Sequence, residues 1–146
     1  MNIKEITKNK EEFKDILLIG DEDINMIKKY LYIGKLFALY DNDLKSVCVT
    51  VEENNVIEIK NLATYPEYQN KGYATHLIEF VCKKYKNKYN EIILGTGENN
   101  ITLNFYKKRN FVEFTRIKNF FTKNYPNPIF ENGKQLVDMI ILKRKL

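Results

Sequence analysis

Apolar residues recur along this chain with two alternating periods. Between Glu11 and Ile19, the residues Phe13, Ile16 and Leu17 share one face of a short helix, and Gly20 suits a left-handed cap. Asp21 or Asp23 can cap a second helix, whose apolar stripe is Met26, Ile27, Tyr30 and Leu31. Gly34 ends that pattern and the period drops to two. Lys35–Tyr40 and Leu44–Val51 read as strands; in the second, Val47, Val49 and Val51 share one face and Ser46, Cys48 and Thr50 the other. Asp41-Asn42-Asp43 and Glu53-Asn54-Asn55 carry turn chemistry, and Val56–Thr64 is a further strand. Turns this short join antiparallel neighbours, so the three strands form a meander. Asn2–Ile6 is a candidate strand ahead of them.

After Pro66 the helical period returns. Ala74, Leu77, Ile78, Val81 and Tyr85 form the apolar face of a long helix. Lys83, Lys84, Lys86 and Lys88 crowd its C-terminal end, where the helix dipole favours cations. Glu91–Leu94 is a short buried strand, and Asn99 or Asn100 caps a helix that reaches Arg109. Phe111–Arg116 and Leu136–Leu142 are two more strands, separated by a long aromatic loop, Asn119–Gly133. The strand–helix–strand unit over residues 56–94 implies a parallel pair joined by a right-handed crossover. The fold class is therefore α/β (α+β) with a mixed sheet.

Length and composition narrow the options. The 146 residues contain no repeat or linker, so 1–146 reads as a single domain. Apolar residues at 44% and aromatic residues at 13% supply a full core. No apolar run approaches the roughly 20 residues of a membrane span. The opening MNIKEITKNKEEF has no apolar core of a secretory signal, so a cytoplasmic location away from the membrane is expected. Cys48 and Cys82 sit among apolar or β-branched neighbours and read as reduced thiols; a reactive pair is the alternative. With a single histidine, His76, and no Cys-x-x-Cys, no metal site is expected. The net charge of +5 comes from 24 basic and 19 acidic residues, but only Arg109, Arg116 and Arg144 are arginine. Nucleic-acid readers lean on arginine, so no nucleic-acid partner is expected. The charge reads as a solvated surface, or as a positive lip for a phosphorylated ligand.

The most informative stretch is Gln69-Asn70-Lys71-Gly72-Tyr73-Ala74, which follows a strand and opens the long helix. Gly72 lets the backbone approach a ligand closely, and Ala74 is small enough for the same purpose. Unpaired N–H groups then converge at the positive end of a helix dipole, an anion site suited to a pyrophosphate, with Lys71 adding charge. An ordinary strand-to-helix turn is the alternative. The stretch is neither a nucleotide P-loop nor Gly-x-Gly-x-x-Gly, and Gly95-Thr96-Gly97 lacks both a third glycine and a following long helix.

In this context the chain resembles the GNAT superfamily of acetyl-CoA-dependent N-acetyltransferases, whose signature is Arg/Gln-x-x-Gly-x-Gly/Ala at a helix start. Gln69, Gly72 and Ala74 fill it, and the lead-in from Glu58 to Tyr68 is similar to the family's fourth strand. Asn99 through Phe111 is similar to a second family block, with Tyr106 in the tyrosine place. The family commonly has glycine before the closing Phe; here Asn110 stands there, the next best residue for a left-handed conformation. Asn124–Gly133 resembles a bacterial subgroup. The resemblance implies a mostly antiparallel central sheet of about six or seven strands flanked by about four helices. It also implies acetyl-CoA as co-substrate.

The same resemblance implies roles for particular residues. The CoA pyrophosphate would sit on the loop formed by Gln69, Asn70, Lys71, Gly72, Tyr73 and Ala74. The pantetheine arm would run beside a bulged fourth strand splayed from the fifth, pairing with backbone groups around Leu62, Ala63 and Thr64 like an added strand. Asn99 would reach the cofactor from the second block. The implied reaction is direct attack on the thioester by a primary amine of a small molecule or a protein. Such an amine, with a pKa of about 10.4, must lose a proton. Glu58 is the candidate base; alternatively it pairs with Lys60 or a neighbouring strand. Tyr106 is the candidate acid toward the departing thiolate; alternatively it is a core tyrosine. A strand amide near Leu62 would polarise the carbonyl. Tyr68, Phe120, Phe121, Tyr125 and Phe130 either line an acceptor pocket or cover the sheet end, and His76 reads as a surface or packing residue. A non-catalytic acetyl-CoA sensor is the competing function, and a monomer or homodimer is expected.

Overall fold

A computed structural model describes residues 1–146. The chain opens with β1 (Asn2–Ile6), α1 (Lys14–Gly20), α2 (Ile24–Leu31), β2 (Lys35–Asp41), β3 (Asp43–Glu53) and β4 (Val56–Thr64). It continues with α3 (Tyr73–Tyr85), β5 (Glu91–Gly97), α4 (Asn100–Lys107), β6 (Val112–Ile117) and α5 (Phe120–Asn124). The two-residue strands β7 (Phe130–Glu131) and β8 (Lys134–Gln135) form a hairpin before β9 (Met139–Lys145). Seven strands form the main sheet in the order β1-β2-β3-β4-β5-β9-β6, and only β4 and β5 run parallel. The connection between those two passes through α3, as a parallel pair requires.

The centre of the sheet is buried on both faces, which explains why β3 is apolar on both sides, whereas the edge strand β6 is exposed throughout. Cys48 packs with Leu77, Ile78 and Val81 of α3, whereas Val47, Val49 and Val51 pack with Ile16 and Leu17 of α1 and Ile27 of α2. The alternation changes phase in β4. Ile57 and Ile59 face the α3 side, yet Ala63 belongs to the α1–α2 side, and Asn61 donates to the Leu17 carbonyl of α1 at 2.9 Å. One extra residue accounts for the switch: Thr50 lies opposite Ile59 and Val49 opposite Asn61, so Lys60 is a β-bulge.

The turns expected between strands form on asparagine. Asn42, Asn54 and Asn55 all take positive φ, and Asn110 does so at 70° at the end of α4. Elsewhere the elements depart from the periodicity. The first helix opens as a 3-10 turn, Lys10–Phe13, that runs directly into α1. Gly20 is not a left-handed cap: it is the last residue of α1, and extended Asp21 follows it. Its small size serves packing instead, since a Cβ there would collide with the Asn61 side chain. The last strand starts at Met139 rather than Leu136. The Leu136 amide donates to Ile129 at 2.8 Å, and Asp138 accepts from the Asn119 amide at 2.9 Å, so these residues serve the preceding segment instead of the sheet. That segment, expected as a loop, contains α5 and the β7–β8 hairpin.

Candidate active site

The bulge at Lys60 is followed by a separation of strands. β4 and β5 pair only over Ile57–Ile59 and Ile92–Leu94, after which they diverge. The edge of β4 that faces the gap can be read from its ladder with β3. The Tyr65 amide donates to the Lys45 carbonyl at 3.2 Å, and antiparallel ladders alternate. Ala63 and Asn61 therefore bond β3, while the backbone groups of Leu62 and Thr64 point to the gap. Of these, the Thr64 carbonyl accepts from Gln69 Nε2 at 3.2 Å. The Leu62 amide and carbonyl and the Thr64 amide have no strand partner beyond the end of the β4–β5 ladder, leaving an unpaired edge that an extended amide-bearing ligand can pair with.

The far end of this edge meets the start of α3. Asn70 has φ 61° and Gly72 φ 89°, and these two reversals turn the chain from a 3-10 turn (Pro66–Tyr68) into the helix. The first helical bond runs from the His76 amide to the Gly72 carbonyl, and no N–H from Asn70 through Thr75 finds an acceptor in the protein. These donors lie at the positive end of a thirteen-residue helix. A Cβ on Gly72 would meet no protein atom, so the surface above it is open to a ligand. Tyr73 anchors the turn by donating to Asp41 at 2.7 Å. Gln69 closes it through the Thr64 contact, and Lys71 is exposed beside the Tyr68 ring.

The two features share a cleft of about 540 Å³, walled by Leu62 and Thr64 on one side and by Thr102, Phe105 and Tyr106 of α4 on the other. Arg109 joins this wall. Its guanidinium donates to Thr75 Oγ1 at 2.8 Å and to the Phe105 carbonyl at 3.0 Å, and stacks on the Phe105 ring at 4.1 Å. The Tyr106 ring packs edge-on against Phe105 and Phe111, but its hydroxyl has no partner in the protein. Burial, with Cys48 and Glu131 nearby, pushes the Tyr106 phenol above its ordinary pKa, so it is a neutral donor.

Through the gap, on the α1–α2 face, lies a second pocket of about 530 Å³. Phe114, Phe120, Phe121 and Tyr125 give it aromatic walls, and its charged groups are Asp21, Glu22, Glu58, Lys60 and Glu131. A smaller cavity of about 230 Å³ links the two sides: Leu62 and Tyr106 belong to the first, Lys60 and Glu131 to the second. A polar network braces the second pocket. Tyr30 and Tyr125 both donate to Asp21, at 3.0 and 2.8 Å, and Asn61 Nδ2 donates to the Tyr30 hydroxyl at 3.1 Å. Burial, and then the Asp21 charge, raise both phenols well above their ordinary pKa. The network ties α1, α2, β4 and the aromatic segment together beside the bulge.

The arrangement matches known proteins. The model of the Acetyltransferase (GNAT) family fits residues 10–111. This chain is a GNAT-family protein. It is an acetyl-CoA-dependent transferase, with acetyl-CoA as co-substrate. It is 32% identical over 136 residues to the uncharacterized N-acetyltransferase YvbK of Bacillus subtilis (strain 168), covering 90% of this chain and 88% of that protein. A GNAT family acetyltransferase from Elizabethkingia anophelis with acetyl-CoA bound superposes with a TM-score of 0.93 at 36% identity, covering 99% of this chain and 97% of that one. The IAA acetyltransferase from Bacillus cereus ATCC 14579 gives 0.92 at 29% identity, covering 99% of each chain.

Within this GNAT fold the expected site residues fall into distinct positions. Leu62, Thr64, Gln69, Asn70, Gly72, Tyr73, Ala74 and Tyr106 line the cleft. The Ala63 side chain turns to the opposite core, and Lys71 stays at the rim. Asn99 is occupied elsewhere: Oδ1 caps α4 by accepting from the Ile101 amide at 3.0 Å, and Nδ2 donates to Glu131 at 3.3 Å. Glu58 lies in the aromatic pocket, paired with Lys60 at 3.2 Å, and does not reach the linking cavity. Of the loop aromatics, Phe120, Phe121 and Tyr125 line the second pocket, Tyr68 lines the first, and Phe130 is 60% exposed. Periodicity did not single out Arg109 or Glu131. Arg109 had a signal, since Phe105 lies one helical turn before it. Glu131 precedes an Asn-Gly hairpin turn, which marks a fixed position but not a role.

Proposed function

We propose that residues 1–146 act as one cytoplasmic N-acetyltransferase domain that moves the acetyl group of acetyl-CoA to a primary amine with an apolar or aromatic body. The diphosphate of the coenzyme rests on the free amides from Asn70 to Thr75, helped by Lys71 and Arg109. The pantetheine arm pairs with the open edge at Leu62 and Thr64. That places the thioester at the gap, where the Leu62 amide donates to the carbonyl oxygen as it gains charge. Tyr106 donates to the sulfur as it leaves.

The observation that carries the reading is the convergence of two pockets on one gap that holds Leu62 and Tyr106. The acceptor class follows from the second pocket. Four carboxylates against one lysine favour a cation, and the aromatic walls favour an apolar body on it. Two buried, free cysteines fit a reducing compartment.

The test is a panel of 2-phenylethylamine, tryptamine, spermidine and short peptides with free N-termini, each supplied with acetyl-CoA. Thiol release and the mass of the amide product are read together. Amide formation with the aromatic amines ahead of the peptides is expected. A thermal shift with acetyl-CoA but no amide from any amine would leave a coenzyme-binding module instead.

A further inference from the structure

The cavity between β4 and β5 holds one carboxylate, Glu131. We propose that Glu131 is the catalytic base that takes the proton from the attacking nitrogen, a role that rests on the acetyl-transfer reading above. Glu131 lines both the aromatic pocket, where the amine would bind, and the linking cavity it shares with Tyr106 and Leu62. Glu58 lines only the aromatic pocket and is engaged by Lys60.

Glu131 is also firmly held. Glu131 pairs with Lys134 across a tight hairpin whose turn residues, Asn132 and Gly133, have φ 51° and 76°. That is the chemistry of a two-residue hairpin turn. Asn99 Nδ2 donates to Glu131 Oε1 at 3.3 Å, and Asn132 Nδ2 donates to Asn99 Oδ1 at 2.9 Å. Asn99 is the cap of α4, so the hairpin and the helix that carries Tyr106 are fixed to each other through one side chain. Glu131 Oε2 receives no protein donor and keeps its lone pairs for a ligand. The proton acceptor and the Tyr106 donor thus flank the gap from elements locked in register.

The ammonium form of the amine first gives one proton to water. The neutral nitrogen then attacks the carbonyl carbon, and the electron pair of the carbonyl moves to oxygen, facing the Leu62 amide. The new N–C bond leaves the nitrogen positively charged, and its surplus proton passes to the Glu131 carboxylate. The carbonyl re-forms, the C–S bond breaks, and its electron pair leaves on sulfur, hydrogen-bonded by Tyr106. Glu131 returns its proton to solvent and the thiolate takes one up.

Wild type, E131Q, E131D and E58Q are compared with the most active amine of the panel, from pH 6 to pH 9. For E131Q, kcat is expected to fall by about 100-fold or more near neutrality, with the loss shrinking as hydroxide takes over at high pH. KM for acetyl-CoA and the thermal shift it causes stay near wild type. E131D recovers part of the rate, and E58Q loses far less. Wild-type kcat and pH profile in E131Q, or the pH-dependent loss appearing in E58Q instead, would overturn the assignment while leaving acetyl transfer intact. A wild type that acetylates no amine would overturn both. If E131Q folds poorly, the pH profile of E131D decides in its place.

Discussion

Replacing Tyr106 with phenylalanine isolates one hydroxyl. The ring contacts with Phe105 and Phe111, at 5.2 and 5.7 Å between centroids, are kept. The hydroxyl bonds nothing in the protein, so folding loses no hydrogen bond and Tm should stay within a degree or two. A thioester sulfur is a weak acceptor, so acetyl-CoA affinity should change by less than about twofold. A departing thiolate is a charged acceptor, and a hydrogen bond to a charged group contributes about 1.5–3 kcal/mol. The expected loss in kcat is therefore about 10- to 150-fold. Burial raises the phenol pKa, so it stays protonated throughout the assay range and the loss should not vary with pH. Initial rates of thiol release under saturating amine, with calorimetric titration of acetyl-CoA, separate the two terms. Unchanged kcat would remove Tyr106 from the chemistry, and a loss confined to affinity would make it a binding residue.

Three further outcomes test the surroundings. Gly20→Ala forces a Cβ into Asn61 beside the bulge and should cost about 1–3 kcal/mol, a fall in Tm of several degrees by differential scanning fluorimetry; an unchanged Tm would mean the contact relaxes freely. Burial pushes the Cys82 thiol up to about 11 and the Cys48 thiol higher still, so a disulfide reagent at pH 8 should react with neither in the native protein and with both after denaturation; rapid native reaction would expose one of them. Donors on Lys88 and Tyr89, at 2.6 and 2.7 Å, hold the Glu52 carboxyl below its ordinary pKa. Its contribution to stability is present above the ordinary carboxylate pKa of about 4.3 and is lost as pH falls through the lowered value. Glu52→Gln should therefore flatten the decline of Tm between about pH 5 and pH 3, and parallel curves would contradict this.

Much of the fold could be read from local pattern. The alternation in β3, the helical stripe of α3 and the turn asparagines each act within a few residues, and periodicity captures that range. The loop at Gln69–Ala74 was legible for the same reason: a glycine between a strand and a helix exposes amides wherever the rest of the chain lies. What escaped depended on distant partners. Gly20 looked like a cap, but its smallness answers Asn61, forty-one positions later. The bulge at Lys60 leaves no mark in a strand whose odd positions, Ile57, Ile59, Asn61 and Ala63, are all buried although they face different sides. Glu131 shares its cavity with Tyr106, and the contact that ties its hairpin to the Tyr106 helix comes from Asn99, thirty-two positions away in the sequence. The aromatic residues around it fitted a pocket wall or a cover for the sheet end equally well, because local pattern does not say which face a distant segment will meet.

Every role assigned to Leu62, Tyr106 and Glu131 depends on where the coenzyme lies. A crystal structure of this chain with CoA bound would show it directly. The expected result has diphosphate oxygens within about 3 Å of the amides between Asn70 and Thr75, with pantetheine amides paired to Leu62 and Thr64. A diphosphate bound elsewhere, or a pantetheine arm that leaves the Leu62–Thr64 edge unpaired, would contradict it.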